Sequence, residues 1–367
     1  MMFKLIACDT PACNTDVTVS RMRRARRLPG ALAGALLALA GLAVPPAHAQ
    51  TVLTMSSWVP PSHGLTSVFL PGWAAEVERA TNGRVKLRML PKHPAAAAGT
   101  FDAVRDGLVD VSFVTASYTP SRHILPLLAE LPGSGATSEI NSVAFSRIHW
   151  KYLHAAGEYK GVKLLGVWTH GAGQMFTKKP VNTIKDLAGM KIRTGGGIAE
   201  EVARALGASP FVKPAPESYE LLSTGVADGT FFPFESVASF KLETVIAQAT
   251  VFPGGMYSSS FGFFMNEDRW NKLSKQDQDA IASVSFENVA HLAGRSWDAA
   301  DRNGFEVLKK AGVKIVEPDA ALLKEVQVRS QPIIDNWIER ATRERGLDGR
   351  KVFNEFHEEL KRVAAGK

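Results

Sequence analysis

The most informative hydrophobic pattern lies over residues 186–233, where short apolar runs alternate with helically spaced positions. In order, it predicts a strand over 190–193, a helix over 198–206 that Gly207 ends, a strand, a helix over 217–224 that Gly225 ends, and a strand over 230–232. This order predicts parallel strands joined by helical crossovers, and hence an α/β sheet. Arg193 stands where the first strand ends, and open α/β sheets present ligand-binding groups at that edge.

The same alternation extends along the chain from residue 51 to its end. The expected strands are 52–55, 85–89, 109–114, 162–168, 261–265 and 313–316, and the expected helical regions are 70–80, 101–108, 274–308 and 320–365. The motif GLVDVSF at 107–113 is echoed by GVADGTF at 225–231, as two lobes built from the same element would produce. The chain is expected to cross between the lobes near 169–175 and 257–266.

The first 49 residues predict a leader that includes a signal peptide over about 22–49. A cluster of arginines precedes an apolar stretch at 31–44, which is too short to span a membrane, and Ala-His-Ala at 47–49 has the small residues of a cleavage site. We therefore expect a periplasmic protein that begins near Gln50. The translation start (Met1 or, as the pattern favours, Met22) and the choice between Sec and twin-arginine export stay open.

Charge and cysteine content narrow the function once this leader is set apart. The chain has 43 basic and 36 acidic side chains, a net charge of +7, but residues 1–49 hold six of the basic and two of the acidic ones, which leaves +3. That charge gives no support to nucleic acid as a partner. Both cysteines, Cys8 and Cys13, also precede Gln50, so the rest of the chain must be stable without a disulfide.

The motifs of common enzymes are absent from the sequence. It has no G-x-S-x-G elbow, no H-E-x-x-H pair, no Walker loop and, after residue 49, no cysteine nucleophile. The glycines at 195–197 follow a strand, as a phosphate-binding loop would, but they lack the G-x-G-x-x-G spacing. We therefore expect no catalytic residue, no metal and no cofactor. A secreted enzyme with an unrecognised site stays an alternative.

Several motifs around Arg193 resemble the substrate-binding subunit of tripartite ATP-independent periplasmic (TRAP) transporters, the DctP-type family. They are KIRT at 191–194, GASP at 207–210 and TGVADG at 224–229, and the resemblance continues through KKPVNTIKDLAG before them and MNEDRWNKLSKQDQ after them. It implies a solute-binding protein that captures an organic carboxylate between two closing lobes and delivers it to the membrane subunits of a TRAP transporter. Arg193, the arginine of the K-I-R motif, would form the salt bridge with that carboxylate.

The resemblance also implies an α/β, two-lobed periplasmic-binding-protein fold with mostly parallel sheets, hinge strands and a long connecting helix. Lobe I is expected over 50–170 and about 259–300, and lobe II over 171–258 and about 301–367, with the C-terminal helices. We expect a monomer. A ligand sensor on the same fold is a further alternative, and genes for two membrane subunits beside this one would favour the transporter.

Two departures from the family pattern indicate an apolar ligand. Gly173, beside Gln174, stands where many relatives carry a second arginine, and Phe232 stands where they commonly have asparagine. One cation among aromatic walls suits a monocarboxylate with an aromatic or branched body better than succinate or a sugar acid. The residues expected to contact the ligand are Arg193, Phe232, Trp168, Tyr118, Trp58, Ser117 and Gln174.

Overall fold

The computed structural model describes residues 50–367, which form two β-sheets flanked by helices. The strands are β1 (Thr51–Met55), β2 (Val85–Met89), β3 (Val111–Thr115), β4 (Val162–Thr169), β5 (Gln174–Thr177), β6 (Lys191–Thr194), β7 (Ser209–Val212), β8 (Gly229–Phe232), β9 (Gln248–Thr250), β10 (Ser260–Asn266) and β11 (Lys314–Val316). The α-helices are α1 (Leu70–Ala80), α2 (Thr100–Arg105), α3 (Ser138–Ile148), α4 (Gly197–Ala205), α5 (Ser218–Ser223), α6 (Phe234–Ser239), α7 (Glu267–Asn271), α8 (Lys275–Ser283), α9 (Glu287–Lys310), α10 (Ala320–Arg345) and α11 (Gly349–Ala364). None of the helices in this part of the chain combines the length and apolar character needed to cross a membrane.

Both sheets are mixed, and five of the nine strand pairings within residues 50–367 are parallel. The first sheet has the order β2-β1-β3-β10-β4, and the second has the order β11-β9-β5-β8-β6-β7. The antiparallel pairings arise where β10 lies between β3 and β4, and where β5 lies between β8 and β9. The two-lobed α/β fold expected from the sequence is therefore confirmed.

Two chain segments run side by side between the sheets. Residues 170–173 lead from β4 to β5, and residues 251–259 lead from β9 back to β10. Backbone hydrogen bonds join the two segments, because Gly173 N–H donates to the Tyr257 carbonyl at 2.8 Å and His170 N–H donates to the Ser259 carbonyl at 3.1 Å. These paired segments are the hinge strands of the fold. The first lies where the sequence pattern predicted a crossing, whereas the second begins earlier than the predicted 257–266, because residues 260–266 form β10 of the first sheet.

The long helix α9 packs against both halves of the molecule. It contacts α3, which lies beside the first sheet, and α6, which follows β8 of the second sheet. Two of its glycines permit these contacts: a Cβ on Gly294 would lie 2.4 Å from the Glu139 backbone, and one on Gly304 would lie 2.0 Å from the Phe234 carbonyl oxygen. With a rise of about 1.5 Å per residue, α9 spans roughly 36 Å. It is the connecting helix that the fold requires.

The C-terminal helices pack against helices that flank the two sheets. Helix α10 contacts α4, and its Trp337 indole N–H donates to the Ile124 carbonyl at 3.0 Å, while α11 packs on α3. The division of the chain into lobes at the boundaries given above stays a prediction.

Several helix and strand assignments differ from the sequence pattern. The helical region expected over 274–308 is broken between α8 and α9, because Phe286 has φ 59° and donates its N–H to the Leu165 carbonyl of β4 at 2.6 Å. The region expected over 320–365 is likewise interrupted at Gly346, which has φ 68°. The start of α8 is as expected, since the Ser274 hydroxyl accepts the Asp277 N–H. Strands β5 and β9 and helices α3, α6 and α7 were not foreseen.

Candidate ligand-binding site

A pocket lies between the two sheets, beside the paired crossing segments. Trp58, Ser117 and Tyr118 reach it from the C-terminal ends of β1 and β3 in the first sheet, and Arg193 and Phe232 reach it from the ends of β6 and β8 in the second. The sheets meet here because all four strands present their C-terminal ends to the same cleft, as open α/β sheets do. Five of the seven residues expected to contact a ligand therefore line one pocket.

Arg193 is a buried cation without a buried anion beside it. Its side chain is 1% exposed, and its Nε and Nη2 groups donate to the Lys213 carbonyl at 2.9 and 2.6 Å. Within residues 50–367 no carboxylate forms an ion pair with it, and burial lowers the pKa of its guanidinium, with Tyr118 and Tyr257 opposing that shift. The Tyr118 hydroxyl also interacts with the guanidinium. Within residues 50–367 no hydrogen bond engages the Nη1 group, which leaves it available for a ligand. An unpaired buried charge costs roughly several kcal/mol. An anionic ligand beside the Arg193 guanidinium is therefore strongly favoured.

Aromatic rings surround the guanidinium. The Arg193 Cζ atom lies 4.3 Å from the centroid of the Phe232 ring, a cation–π contact, and Phe232 stacks on Phe240 with centroids 5.9 Å apart. On the first sheet, the Trp58 and Tyr118 rings are 5.4 Å apart, and the Trp58 indole N–H donates to the Phe113 carbonyl at 2.8 Å. These contacts fix the rings in place, so the pocket offers preformed apolar walls.

Ser117 is engaged by a buried acid that sequence reasoning missed. Its hydroxyl donates to Glu130, at 2.8 and 2.7 Å from the two carboxylate oxygens, and Glu130 also accepts the Ser260 N–H and hydroxyl. Burial raises the pKa of Glu130 to about 7, although these donors counteract the shift. The start of α4 approaches the same place, since a Cβ on Gly196 would lie 2.9 Å from the Ser117 carbonyl oxygen. Glu130 thus ties the loop after β3 to the start of β10 in the first sheet.

Two expected contact residues lie outside the pocket lining. Trp168 is fully buried and stacks on Phe261, with centroids 5.4 Å apart and planes at 8°, so Phe261 stands between it and the pocket. The Gln174 side chain pairs with the Phe252 backbone, accepting its N–H at 2.7 Å and donating to its carbonyl at 3.3 Å. The place of Trp168 near a strand end was foreseen, but the direction of its side chain was not, and the strand that begins at Gln174 was not foreseen.

His63, like Glu130, was not anticipated, and it pairs with a buried acid at the pocket. His63 lines the pocket from the turn before α1, and its Nε2 lies 3.2 Å from Glu235 of α6. Burial opposes the ionisation of Glu235, but His63 together with the Ser239 and Ser236 hydroxyls outweighs it and lowers the pKa of this carboxyl. The Glu235 N–H donates to Asp301 of α9 at 2.7 Å. No sequence motif marks this pair.

Gly173 and Tyr257 form the remaining unforeseen part of the site. A Cβ on Gly173 would lie 2.2 Å from the Tyr257 ring. The ring therefore occupies the space that a side chain at position 173 would need. Tyr257 lines the pocket from the second crossing segment. The run of small residues around it, GGMYSSS at 254–260, is the signal that could have indicated such a close backbone approach. Within residues 50–367 no group of three or more metal-ligating side chains is arranged to hold a metal ion.

Two sheets joined by paired crossing strands, with a buried arginine and aromatic walls between them, define the class of two-lobed solute-binding proteins. The chain belongs to the bacterial extracellular solute-binding protein family 7 (DctP), whose model matches residues 56–340. The family predicted from the KIRT and GASP motifs is thereby confirmed, and the chain is a solute-binding protein of the TRAP type.

Solved structures of TRAP solute-binding proteins match most of this chain. One, from Bordetella bronchiseptica with bound (R)-mandelate and (S)-mandelate, is 49% identical, with a TM-score of 0.83 over 85% of this chain and 99% of that one. Another, from a marine metagenome, is described as specific for aromatic acid ligands and contains metahydroxyphenylacetate. It is 31% identical, with a TM-score of 0.79 over 85% of this chain and 99% of that one.

Curated relatives are more distant. The outer membrane transporter protein TsaT of Comamonas testosteroni is 28% identical over 318 residues, which are 86% of this chain and 94% of that protein. The C4-dicarboxylate-binding periplasmic protein DctP of Rhodobacter capsulatus is 25% identical over 334 residues, which are 86% of this chain and 95% of that protein. TRAP solute-binding proteins are periplasmic and non-enzymatic as a family. The signal peptide expected at 22–49 falls outside the described residues and stays a prediction, as does the monomeric state.

Proposed function

We propose that this protein captures a monocarboxylate with an aromatic or branched apolar body and delivers it to the membrane subunits of a TRAP transporter. The observation that carries the proposal is Arg193, a buried guanidinium that has no anionic partner within residues 50–367 and has free N–H groups beside the pocket. A carboxylate would pair with those groups through two parallel hydrogen bonds, which a lysine cannot reproduce.

The charges near the pocket favour one carboxylate over two. Ser117 and Ser236 both line the pocket, and their hydroxyls donate outward to the buried acids Glu130 and Glu235, at 2.8 and 3.1 Å. A second carboxylate on the ligand would face these acids instead of a cation, and an unpaired buried charge is costly. Succinate-like acids are therefore disfavoured.

The body of the ligand would rest against rings. Phe232, Phe240, Trp58 and Phe261 line the pocket, and aromatic faces supply affinity while a few polar groups fix orientation. The relatives support this choice, because the Bordetella protein, at 49% identity, contains mandelate and the marine protein, at 31%, is described as specific for aromatic acids. The relative named for C4-dicarboxylates is only 25% identical.

Binding would close the two lobes about the paired crossing segments. A carboxylate held by Arg193 of the second sheet, with its body against Trp58 of the first, makes both contacts only in the closed form, so the ligand favours that form. In this proposal lobe I comprises 50–170 and 259–300, and lobe II comprises 171–258 and 301–367.

A thermal-shift panel on the purified protein tests the ligand class. We expect stabilisation by (R)-mandelate, phenylacetate or a branched acid such as isovalerate, and none by phenylacetamide, a neutral control of the same shape as phenylacetate. Stabilisation by succinate or sialic acid, with no response to any aromatic or branched acid, would overturn the proposal.

A further inference from the structure

The pocket contains few polar groups besides Arg193 that are not already engaged. Ser117 and Ser236 donate to buried acids. The Tyr118 hydroxyl accepts the Ala215 N–H at 2.8 Å and also interacts with the Arg193 guanidinium. Among residues 50–367 the Tyr257 and Ser259 hydroxyls have no hydrogen-bond partner, and neither has the Trp297 indole N–H. Each of these three groups is therefore free to form a hydrogen bond with a polar atom of the ligand.

Tyr257 is the group of these that is fixed beside the cation. Its backbone is tied to Gly173 by two hydrogen bonds involving the Tyr257 carbonyl and the neighbouring Met256 N–H, at 2.8 and 3.0 Å. Its ring lies over the Cα of Gly173 and meets His170 edge-on, with centroids 5.5 Å apart. Tyr257 and Arg193 line the same pocket, so the phenol faces the space in which Arg193 would bind a carboxylate.

The hydroxyl is also neutral throughout the physiological range. Burial raises the pKa of Tyr257, and the opposing effect of Arg193 is smaller. A neutral phenol both donates and accepts one hydrogen bond, so it matches an alcohol or carbonyl oxygen on the ligand and supplies no charge to a second carboxylate.

We propose that Tyr257 is a specificity-determining residue, whose hydroxyl hydrogen-bonds a hydroxyl or keto oxygen on the carbon next to the ligand carboxylate. This inference rests on the proposed function and narrows it from aromatic or branched monocarboxylates to their 2-hydroxy and 2-oxo forms. A site with a buried polar group rejects a ligand that lacks the matching atom, because the group is then left unpaired.

The test compares mandelate with phenylacetate, which differ only in the 2-hydroxyl group, by isothermal titration calorimetry. We expect wild-type protein to prefer mandelate by about tenfold, and Tyr257→Phe to lose that preference because its affinity for mandelate falls more than its affinity for phenylacetate. Tyr159→Phe is the matched control, because it removes another buried phenol outside the pocket lining, and it should keep the preference. Circular dichroism melts establish that each variant is folded.

Two results would overturn the inference. In the first, Tyr257→Phe keeps the preference for mandelate, whether or not its affinity for both acids falls. In the second, the preference disappears in Ser259→Ala instead. In either case the binding of aromatic acids, and with it the proposed function, would stand. Failure of the wild-type protein to bind both acids would overturn the proposed function and this inference together.

Discussion

Replacing Arg193 with alanine should weaken ligand binding strongly without unfolding the protein. The variant removes a buried cation that pairs with no carboxylate among the described residues, and truncating one partner of a buried charge pair costs roughly 2–5 kcal/mol. That loss corresponds to a Kd raised roughly 30- to 5,000-fold. Lysine at this position keeps the charge but loses the planar fork, so it should restore only part of the affinity.

The stability of the ligand-free protein should change much less. Alanine leaves the Lys213 carbonyl without the donors it now has at 2.9 and 2.6 Å, at a cost of about 1–3 kcal/mol. It also removes a buried charge that has no counter-ion, and that relief is of similar size. We therefore expect the ligand-free Tm of Arg193→Ala to stay within a few degrees of wild type.

Calorimetry with mandelate and a melt of the ligand-free protein measure both effects. Arg204→Ala is the matched control, because Arg204 lies on α4 with an exposed side chain paired to Glu200, and its loss should leave the affinity unchanged. If Arg193→Ala binds the ligand within a few-fold of wild type, the carboxylate clamp is refuted.

Three other predictions concern the wall, a buried acid and closure. Phe232→Leu should weaken mandelate binding by about 0.5–2 kcal/mol in calorimetry, because it removes the ring 4.3 Å from the Arg193 Cζ atom. Burial raises the pKa of Asp301 to about 8, so the folded state retains a proton that the unfolded state releases above about pH 4; stability should fall as pH rises from about 4 to 8. Asp301→Asn should remove that part of the slope in urea titrations at pH 5 and pH 8, since it still accepts the Glu235 N–H. Small-angle scattering should show a smaller radius of gyration with mandelate than without it.

Each of these predictions has a result that contradicts it. An unchanged affinity in Phe232→Leu would mean that the ring does not support the bound cation. If the unfolding free energies of wild type and Asp301→Asn differ by the same amount at pH 5 and pH 8, Asp301 does not retain the proton in the folded state. Identical scattering curves with and without ligand would exclude closure by hinge motion.

The position of Arg193 could be predicted because it depends on local pattern. The apolar run before it indicated a strand, and strand ends in α/β sheets converge on a cleft, so Arg193, Phe232 and Tyr118 were placed at the pocket. The direction of a side chain near a strand end is a separate matter, since successive residues face opposite sides. Trp168 therefore lies behind Phe261 although its strand was correctly predicted.

The missed residues depend on contacts between segments far apart in the sequence. Tyr257 enters the pocket because Gly173, 84 positions earlier, leaves room for its ring, and the two crossing segments pair only in the folded chain. Glu130 lies in the apolar run LPLLAELP, where its burial is stabilised by Ser117 and by Ser260. Strands β5 and β9 are short, and their partners come from elsewhere in the chain. Periodicity within one window contains none of this information.

A crystal structure of the protein with (R)-mandelate tests the central claim most directly. The account predicts the two carboxylate oxygens within hydrogen-bonding distance of Arg193 Nη1 and Nη2, and the phenyl ring against Phe232 and Trp58. A carboxylate bound away from Arg193, or a ring directed out of the pocket, would contradict it.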